Sequence, residues 1–282
     1  YDSYTPENDM PPRYNAPLIA EWAGVQTLSR TRTKESPEYN GPRIASMELT
    51  ENTPSTLTTR ANTLSTGVYF RLIVFRKSGN NYVFQSAADY TSNGASSPVL
   101  KKGKLLTRSG TIRVIGYSFN TTAALGDIPA SYTYNTTKID IPNMNNDFMT
   151  YDSGDIANVN SLNYNLPVTF KQKLCKLTIS ISVTGFTSNA ISGCTGVYVK
   201  QGGNSTSWVI GSSAVAANTS NTASFNPNTN QTTTIHMVPF ASSRTITVHF
   251  NKLTVGNLIA NNADNIDIAS TQSVQLKEGM SY

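Results

Sequence analysis

A run of alternating residues at positions 175–184 constrains the fold of this chain more than any other feature. The apolar residues of the run share one parity and are Cys175, Leu177, Ile179, Ile181 and Val183. This period of two predicts a strand with one buried and one solvent-facing side. Immediately upstream the apolar residues take the opposite parity, at Val168, Phe170 and Leu174. Because a slip of one residue turns every later side chain to the other face, we expect a bulge or bend at residues 171–173.

The composition favours an extended, all-β protein with two domains. A length of 282 residues is long for one small sandwich and fits two domains of about 120–150 residues. Only 14% of the residues are charged, and polar uncharged residues separate recurrent β-branched and aromatic runs. The formal charge of +5 comes from scattered Lys and Arg, so a nucleic-acid partner is not expected. No run of 18 apolar residues is present to span a membrane as a helix.

Several segments set the expected domain organisation. Residues 1–42 contain six prolines and predict a leader or tether. Residues 43–50 are the first strand candidate, and residues 67–75 are apolar on both faces except at Arg71, as in the middle of a sheet. With a boundary near Tyr164, the predicted domains are an N-terminal sandwich at 43–164 and a C-terminal sandwich at 165–282.

Three motifs carry a resemblance to a known family. They are Phe-x-Gln-x-Leu-Cys-Lys-Leu at 170–177, Gly-Val-Tyr-Phe-Arg-Leu-Ile-Val-Phe at 67–75 and Gly-x-Ile-x-Val-Ile-Gly-Tyr-Ser-Phe-Asn at 110–120. Together they resemble the fimbrillin-like subunits of type V pili on Gram-negative anaerobes. The resemblance covers roughly residues 60–282. It implies two tandem antiparallel β-sandwiches that are Greek-key-like and transthyretin-like. In the family a segment like Leu276–Tyr282 begins a last strand, so the resemblance implies that this strand is truncated, continues in a tail after Tyr282 or is missing.

The resemblance also implies a function without enzymatic activity or cofactors. The chain is expected to be exported as a lipoprotein and to form a fimbrium on the outer membrane, with a role in cell adhesion. Its expected partners are other pilus subunits, joined by strand exchange, a trypsin-like Arg-specific protease, and surface ligands of host or bacteria. The alternative is a surface carbohydrate-binding or nutrient-uptake lipoprotein. A carbohydrate binder usually displays aromatic platforms, and Trp208 is the only Trp beyond the leader.

In the family, cleavage after an Arg that follows the first strand releases that strand and opens a groove. The matching position is Arg60-Ala61, with Arg30 and Arg32 as rival sites. The strand that cleavage would displace is predicted to comprise Ile44, Ala45, Ser46, Met47, Glu48 and Leu49. Alternatively, Arg60 is an ordinary loop residue of an uncut subunit.

Two cysteines and two histidines are the remaining candidates for chemistry. A disulfide between Cys175 and Cys194 would close a loop of about 20 residues, worth about 3 kcal/mol; alternatively Cys175 is a small buried residue and Cys194 a free thiol. A hairpin turn at 241–244 would place His236 opposite His249, on the solvent face. Two histidines without a third ligand make a poor metal site, so neither a metal nor a catalytic set is expected.

One basic cluster has two interpretations. It consists of Lys101, Lys102, Lys104 and Arg108, in a region of predicted turns. The first interpretation is a solvated hairpin, and the second is a contact with a polyanion or glycan.

Overall fold

The computed structural model describes part of the chain. The described residues are 20–23, 28–29, 43–46, 52–53, 61–94, 96–142, 146–159, 166–180, 182–184, 191–200, 206–216, 223–224, 232–255, 258–259, 266–270 and 273–281. No helix occurs in these ranges, and their regular structure consists of strands paired mostly antiparallel. The predicted all-β class is confirmed.

The chain up to Gln172, which we call the first half, contributes twelve strands. They are β1 (Ala20–Ala23), β2 (Leu28–Ser29), β3 (Arg43–Ser46), β4 (Asn52–Thr53), β5 (Ala61–Thr63), β6 (Tyr69–Ser78), β7 (Asn81–Asn93), β8 (Ser96–Gly103), β9 (Gly110–Ser118), β10 (Lys138–Ile141), β11 (Met149–Val159) and β12 (Val168–Gln172). Eight of them form one sheet in the order β5-β1-β12-β11-β9-β6-β7-β8. Every pair in this sheet is antiparallel except β1 with β12, which is parallel.

The second half contributes shorter strands in smaller sheets. They are β13 (Cys175–Ser180), β14 (Ser182–Thr184), β15 (Ile191–Thr195), β16 (Tyr198–Val199), β17 (Thr206–Val209), β18 (Ala223–Ser224), β19 (Thr232–Met237), β20 (Thr247–Phe250), β21 (Lys252–Val255), β22 (Leu258–Ile259) and β23 (Ile266–Ala269). One sheet has the order β18-β16-β20-β23, another has β15-β21-β22, and β13 pairs with β19. Two pairs join the halves, β10 with β17 and β3 with β14.

Strand β6 forms the centre of the large sheet because both of its faces are apolar. Phe70, Leu72 and Val74 pack into a cluster on one face, and Ile73 and Phe75 pack into a cluster on the other. The second cluster extends beyond the sheet to residues from distant parts of the chain, namely Tyr132, Ile141, Phe148, Leu174, Trp208 and Ile210. A third cluster, which includes Leu177, Val199, Ile246 and Leu276, fills the second half.

The predicted change of phase occurs between β12 and β13. Val168 and Phe170 are buried with Thr169 exposed between them, and Cys175 and Leu177 are buried with Lys176 exposed between them. The two strands are separated by Lys173 and Leu174, which are both buried. The break predicted at residues 171–173 is therefore confirmed, and it is where the chain passes from the large sheet to the second half.

The hydrogen bonding places two segments differently from the predicted domains. Strand β12 was expected to open the C-terminal sandwich, but it pairs with β11 and β1 in the large sheet. Residues 1–42 were expected to be a tether, but β1 lies within that range and joins the same sheet. Periodicity identifies a strand but not its partner, which explains both differences.

Candidate assembly edge

The outer edge of β12 is covered by one short strand from the start of the chain. On one side β12 pairs with β11, through Met149 with Gln172 and Thr150 with Lys171. On the other side the partner of β12 among the described residues is β1, whose four residues supply three partners for it. Because β12 carries the fully buried side chains of Val168 and Phe170, this edge borders the core. Removing β1 would leave unpaired backbone groups beside an apolar face.

The predicted cleavage site lies directly before the strand that flanks β1. Arg60 is outside the described residues, and Ala61 is the first residue of β5. Strand β5 pairs antiparallel with β1, with Ala61 opposite Ala23 and Thr63 opposite Glu21. The peptide bond after Arg60 therefore lies in the connection that joins these two paired strands.

The strand predicted to be displaced has a different partner from the one expected. Ile44, Ala45 and Ser46 belong to β3, whereas Met47, Glu48 and Leu49 lie outside the described residues. Strand β3 pairs with β14, in the second half, with Ser46 opposite Ser182. The expectation that this segment completes the N-terminal sheet is therefore not met, and β1 occupies that position. The proline-rich surroundings of β1 concealed it, since its four residues are too few to show a period.

A buried carboxylate lies beside the end of β12. Asp147 is 4% exposed, and its Oδ1 has no hydrogen-bond partner among the described residues. Burial raises the pKa of Asp147 from 3.8 to about 7, opposed by hydrogen bonds from the Gln172 side chain and the Phe148 backbone and by the charge of Lys176. The sequence did not indicate that this residue is buried.

The junction after β12 is fixed by a second buried charge. Lys173 is 7% exposed, and its Nζ donates to Ser213 O at 2.8 Å and lies 2.5 Å from Glu278 Oε1. The backbone N–H of Gly279 also donates to Leu174 O at 3.0 Å. Residues near the end of the chain thus hold the junction in place, which supports β12 independently of β1.

A buried ion pair anchors the long connection between β9 and β10 to the large sheet. Arg71 binds both carboxylate oxygens of Asp89, at 2.5 and 2.8 Å. It also donates to Gly126 O, Asp127 O and Tyr132 Oη at 3.1, 3.0 and 2.9 Å. Arg71 was visible in the sequence as the one charge in an apolar strand, but its partners were not. The guanidinium is fully engaged in structural contacts, so it is not a ligand-binding group.

Cys175 is buried and its thiol is free. Its Sγ donates to Met237 O at 3.2 Å, and burial raises the pKa of the thiol to about 12. The side chain of Cys194, in β15, lies outside the described residues. In this structure Cys175 is therefore the small buried residue of the alternative, and its predicted bridge to Cys194 is not formed.

The two histidines are in different sheets, so the prediction that they face each other is wrong. His236 pairs with Lys176, and His249 pairs with Tyr198 and Asp267. His249 was expected at the surface but is 5% exposed, with Nδ1 2.7 Å from Asp267 Oδ1. Strands β19 and β20 do not form the hairpin that the short turn suggested.

No group of three or more His, Cys, Asp or Glu in the described part of the chain is arranged to hold a metal ion. Among the residues described here, no helix is long and apolar enough to cross a membrane.

Comparison with known proteins gave matches of structure only. No protein-family model matches this sequence, and no curated protein matches it. The structure is similar to a proposed cell adhesion protein from Bacteroides uniformis, with a TM-score of 0.46 and 11% identity over 86% of this chain and 100% of that one. A proposed cell adhesion protein from Bacteroides fragilis has a TM-score of 0.44 and 13% identity over 96% and 91% of the two chains.

A fimbrilin from Porphyromonas gingivalis has a TM-score of 0.41 and 9% identity, over 89% of this chain and 80% of that one. All three TM-scores are below 0.5 and all three identities are below 25%. The function of this chain is therefore inferred from its own strands and residues.

Proposed function

We propose that this chain is a structural and adhesive subunit of a bacterial surface pilus that assembles by exchange of a β-strand. The observation that supports this most is the edge of β12, which lies next to the core and is covered by a strand of four residues. The motifs that resemble fimbrillin-like subunits agree with it. The subunit would be exported as a lipid-anchored precursor and would act at the outer membrane, within a fimbrium.

Cleavage after Arg60 would break the covalent connection between β1 and β5, so that β1 would be held in the sheet by strand pairing alone. Three residue pairs join β1 to β12 and three join it to β5, so few contacts would hold the cut segment. The same cut would separate β3 from the remaining chain, since β3 also precedes Arg60. A strand of the next subunit could then pair with β12 and satisfy its backbone groups by β-augmentation.

The exchange requires that β12 keep its conformation when β1 leaves. Its other edge is bonded to β11, and Phe170 packs edge-to-face on Phe70 at 5.4 Å. The ion pair of Lys173 with Glu278 fixes the residue that follows the strand. These contacts do not involve β1, so the groove would be preformed.

Arg60→Gln tests the processing step. Purified precursor is treated with a trypsin-like, Arg-specific protease, and the new N-terminus is determined by sequencing. We expect wild type to begin at Ala61 and to form polymers visible by negative-stain electron microscopy, and Arg60→Gln to remain monomeric. The matched control is Arg30→Gln, which removes a rival site and should polymerise normally. If Arg60→Gln forms pili at the wild-type level, the processing role of Arg60 is wrong.

A second experiment tests strand exchange separately from proteolysis. A synthetic peptide with residues 18–25, which include β1, is added to subunits already cut after Arg60. We expect it to occupy the β12 edge and to suppress polymerisation, whereas a peptide with the same residues in scrambled order should not. Equal polymerisation with both peptides would show that the β12 edge is not the acceptor.

The carbohydrate-binding alternative predicted an exposed aromatic platform, and Trp208 does not provide one. Trp208 is 2% exposed, and its Nε1 donates to Ser212 O at 2.9 Å, so it is part of the core. It is not available as a platform for stacking on a neutral sugar.

A further inference from the structure

A cavity of about 620 Å³ lies on the large sheet, away from the β12 edge. Arg76 and Arg108 both line it, together with Gln85, Thr107 and Phe84. Arg108 is the member of the predicted basic cluster that reaches this cavity. The volume is in the range of small-ligand sites, which is about 300–1,000 Å³.

Hydrogen bonds fix the backbone of residues 106–108, which line the cavity. Ser86 Oγ donates to Leu106 O at 2.6 Å and accepts from Leu106 N at 2.7 Å, which holds the segment after β8 against β7. Thr107 is 2% exposed, and its Oγ1 donates to Arg108 O at 3.0 Å. The backbone that carries Arg108 is therefore fixed relative to the sheet.

The two arginines of the cavity are not neutralised within the described part of the chain. Arg76 Nε donates to Ser109 O at 3.1 Å, and no described carboxylate lies within 4.0 Å of Arg76 or Arg108. The acids of the neighbouring strand have other partners. Asp155 is 2.5 Å from Lys77 Nζ, and Asp152 is 2.6 Å from Arg113 Nη2.

The rest of the basic cluster does not have this arrangement. Lys102 pairs with Asp127, and Lys101 and Lys104 are exposed side chains that do not line the cavity. The predicted solvated hairpin thus describes the lysines, while Arg108 belongs to a concave site.

We infer that this cavity binds a saccharide that carries a carboxylate, such as a uronic acid. Guanidinium groups recognise carboxylates through paired, charge-assisted hydrogen bonds. Ser78, which is exposed, and the Oε1 of Gln85 provide polar groups for hydroxyls, and Val83, which is 50% exposed, provides apolar surface for a sugar ring. Phe84, the one aromatic residue of the lining, packs its ring on Phe75 and Tyr132, so stacking is limited and the carboxylate supplies most of the affinity.

This site is separate from polymerisation and does not depend on cleavage after Arg60. Its test is therefore carried out on the uncut, monomeric chain, by isothermal titration calorimetry. The ligand is cellobiouronic acid, and the matched neutral ligand is cellobiose, which has the same two rings without the carboxylate. We expect the acid to bind at least about 10-fold more tightly, as one charge-assisted contact provides.

Arg76→Gln and Arg108→Gln are each expected to weaken binding of the acid by about 10-fold or more and to leave cellobiose unaffected. Arg108 is exposed, so its substitution should not affect folding. If Arg76→Gln does not fold, the affinity of Arg108→Gln for the acid still tests whether the cavity binds the carboxylate. The matched control is Lys104→Gln, which removes a nearby charge outside the cavity and should change binding by less than about 2-fold at 150 mM salt.

Four results would overturn the inference. The first is equal affinity for the acid and the neutral disaccharide, and the second is no binding of either. The third is an equal loss in Lys104→Gln and Arg108→Gln, which would indicate a diffuse surface charge. Tighter, Arg108-dependent binding of a hexaglutamate peptide would assign the cavity to acidic peptides in place of saccharides.

Discussion

Asp147→Asn should stabilise the folded chain at pH 8 and should have little effect at pH 4. Asp147 is 4% exposed, and burial raises its pKa from 3.8 to about 7. In the unfolded chain the carboxyl returns to its ordinary pKa. Between pH 3.8 and about 7 the folded state therefore binds more protons than the unfolded state, and stability falls as pH rises through this window.

The size of the effect follows from the two pKa values. One pKa unit corresponds to about 1.4 kcal/mol, so the difference between 3.8 and about 7 corresponds to at most about 4 kcal/mol. This contribution to stability is complete below pH 3.8 and is lost as pH rises to about 7. Asn keeps the shape and stays neutral at every pH. It should therefore recover most of this free energy at pH 8, where wild type carries a buried charge.

The assay is urea denaturation of the monomer, followed by tryptophan fluorescence at pH 4, 6 and 8. The difference in unfolding free energy between Asp147→Asn and wild type should grow steadily with pH. The matched control is Asp140→Asn, since Asp140 is an exposed residue of β10, and its substitution should change the unfolding free energy by less than about 0.5 kcal/mol. A pH-independent difference for Asp147→Asn, or destabilisation at pH 8, would refute the reasoning and show that Gln172 and Lys176 fully compensate the buried charge.

Three further predictions concern other parts of the chain. Asp89→Asn should lower the unfolding free energy in urea by about 3–5 kcal/mol, because it leaves the buried guanidinium of Arg71 without its counter-charge. A loss below about 1 kcal/mol would show that the carbonyl oxygens of Gly126 and Asp127 are enough to stabilise this guanidinium. Gly103→Ala should lower the unfolding free energy by about 2–4 kcal/mol, because a Cβ at 103 would clash with the backbone oxygen of Ala87. Gly79 also has a positive φ but has no neighbour within 4 Å of an added Cβ, so Gly79→Ala should cost about 1 kcal/mol. Equal costs for the two variants in urea denaturation would refute this. Cys175 should resist alkylation by iodoacetamide in the folded chain and should be alkylated after unfolding without reductant, as measured by intact mass. If Cys175 is not alkylated in the unfolded chain until reductant is added, it is bridged to Cys194.

The sequence predicted the features of this fold that depend on neighbouring residues. The two apolar faces of β6 and the change of phase between β12 and β13 are both local patterns, and both are present in the structure. The pairing of strands is different, since it depends on contacts between residues that are distant in sequence. Trp208 illustrates this, because its strand pairs with β10, and no pattern near residue 208 indicates that partner.

The candidate sites show the same limit. Arg71 could be identified as unusual from its apolar neighbours, but its ion pair with Asp89 could not be predicted. Asp147 lies in a loop-rich part of the sequence, and its high pKa arises from a burial that the sequence does not show. Arg108 was noticed only as one member of a charge cluster. The cavity that distinguishes it from the lysines exists because Ser86 binds the segment that follows β8.

The position of β12 explains how one strand could serve both stability and assembly. Its inner residues Val168 and Phe170 belong to the core of the large sheet, so the strand is held by burial and not only by edge hydrogen bonds. The chain then continues through Leu174 into the cluster that joins the two halves. Loss of β1 would remove hydrogen bonds from one edge and leave these apolar contacts in place. An acceptor of this kind would stay folded while it waits for the next subunit, which strand exchange between separate molecules requires.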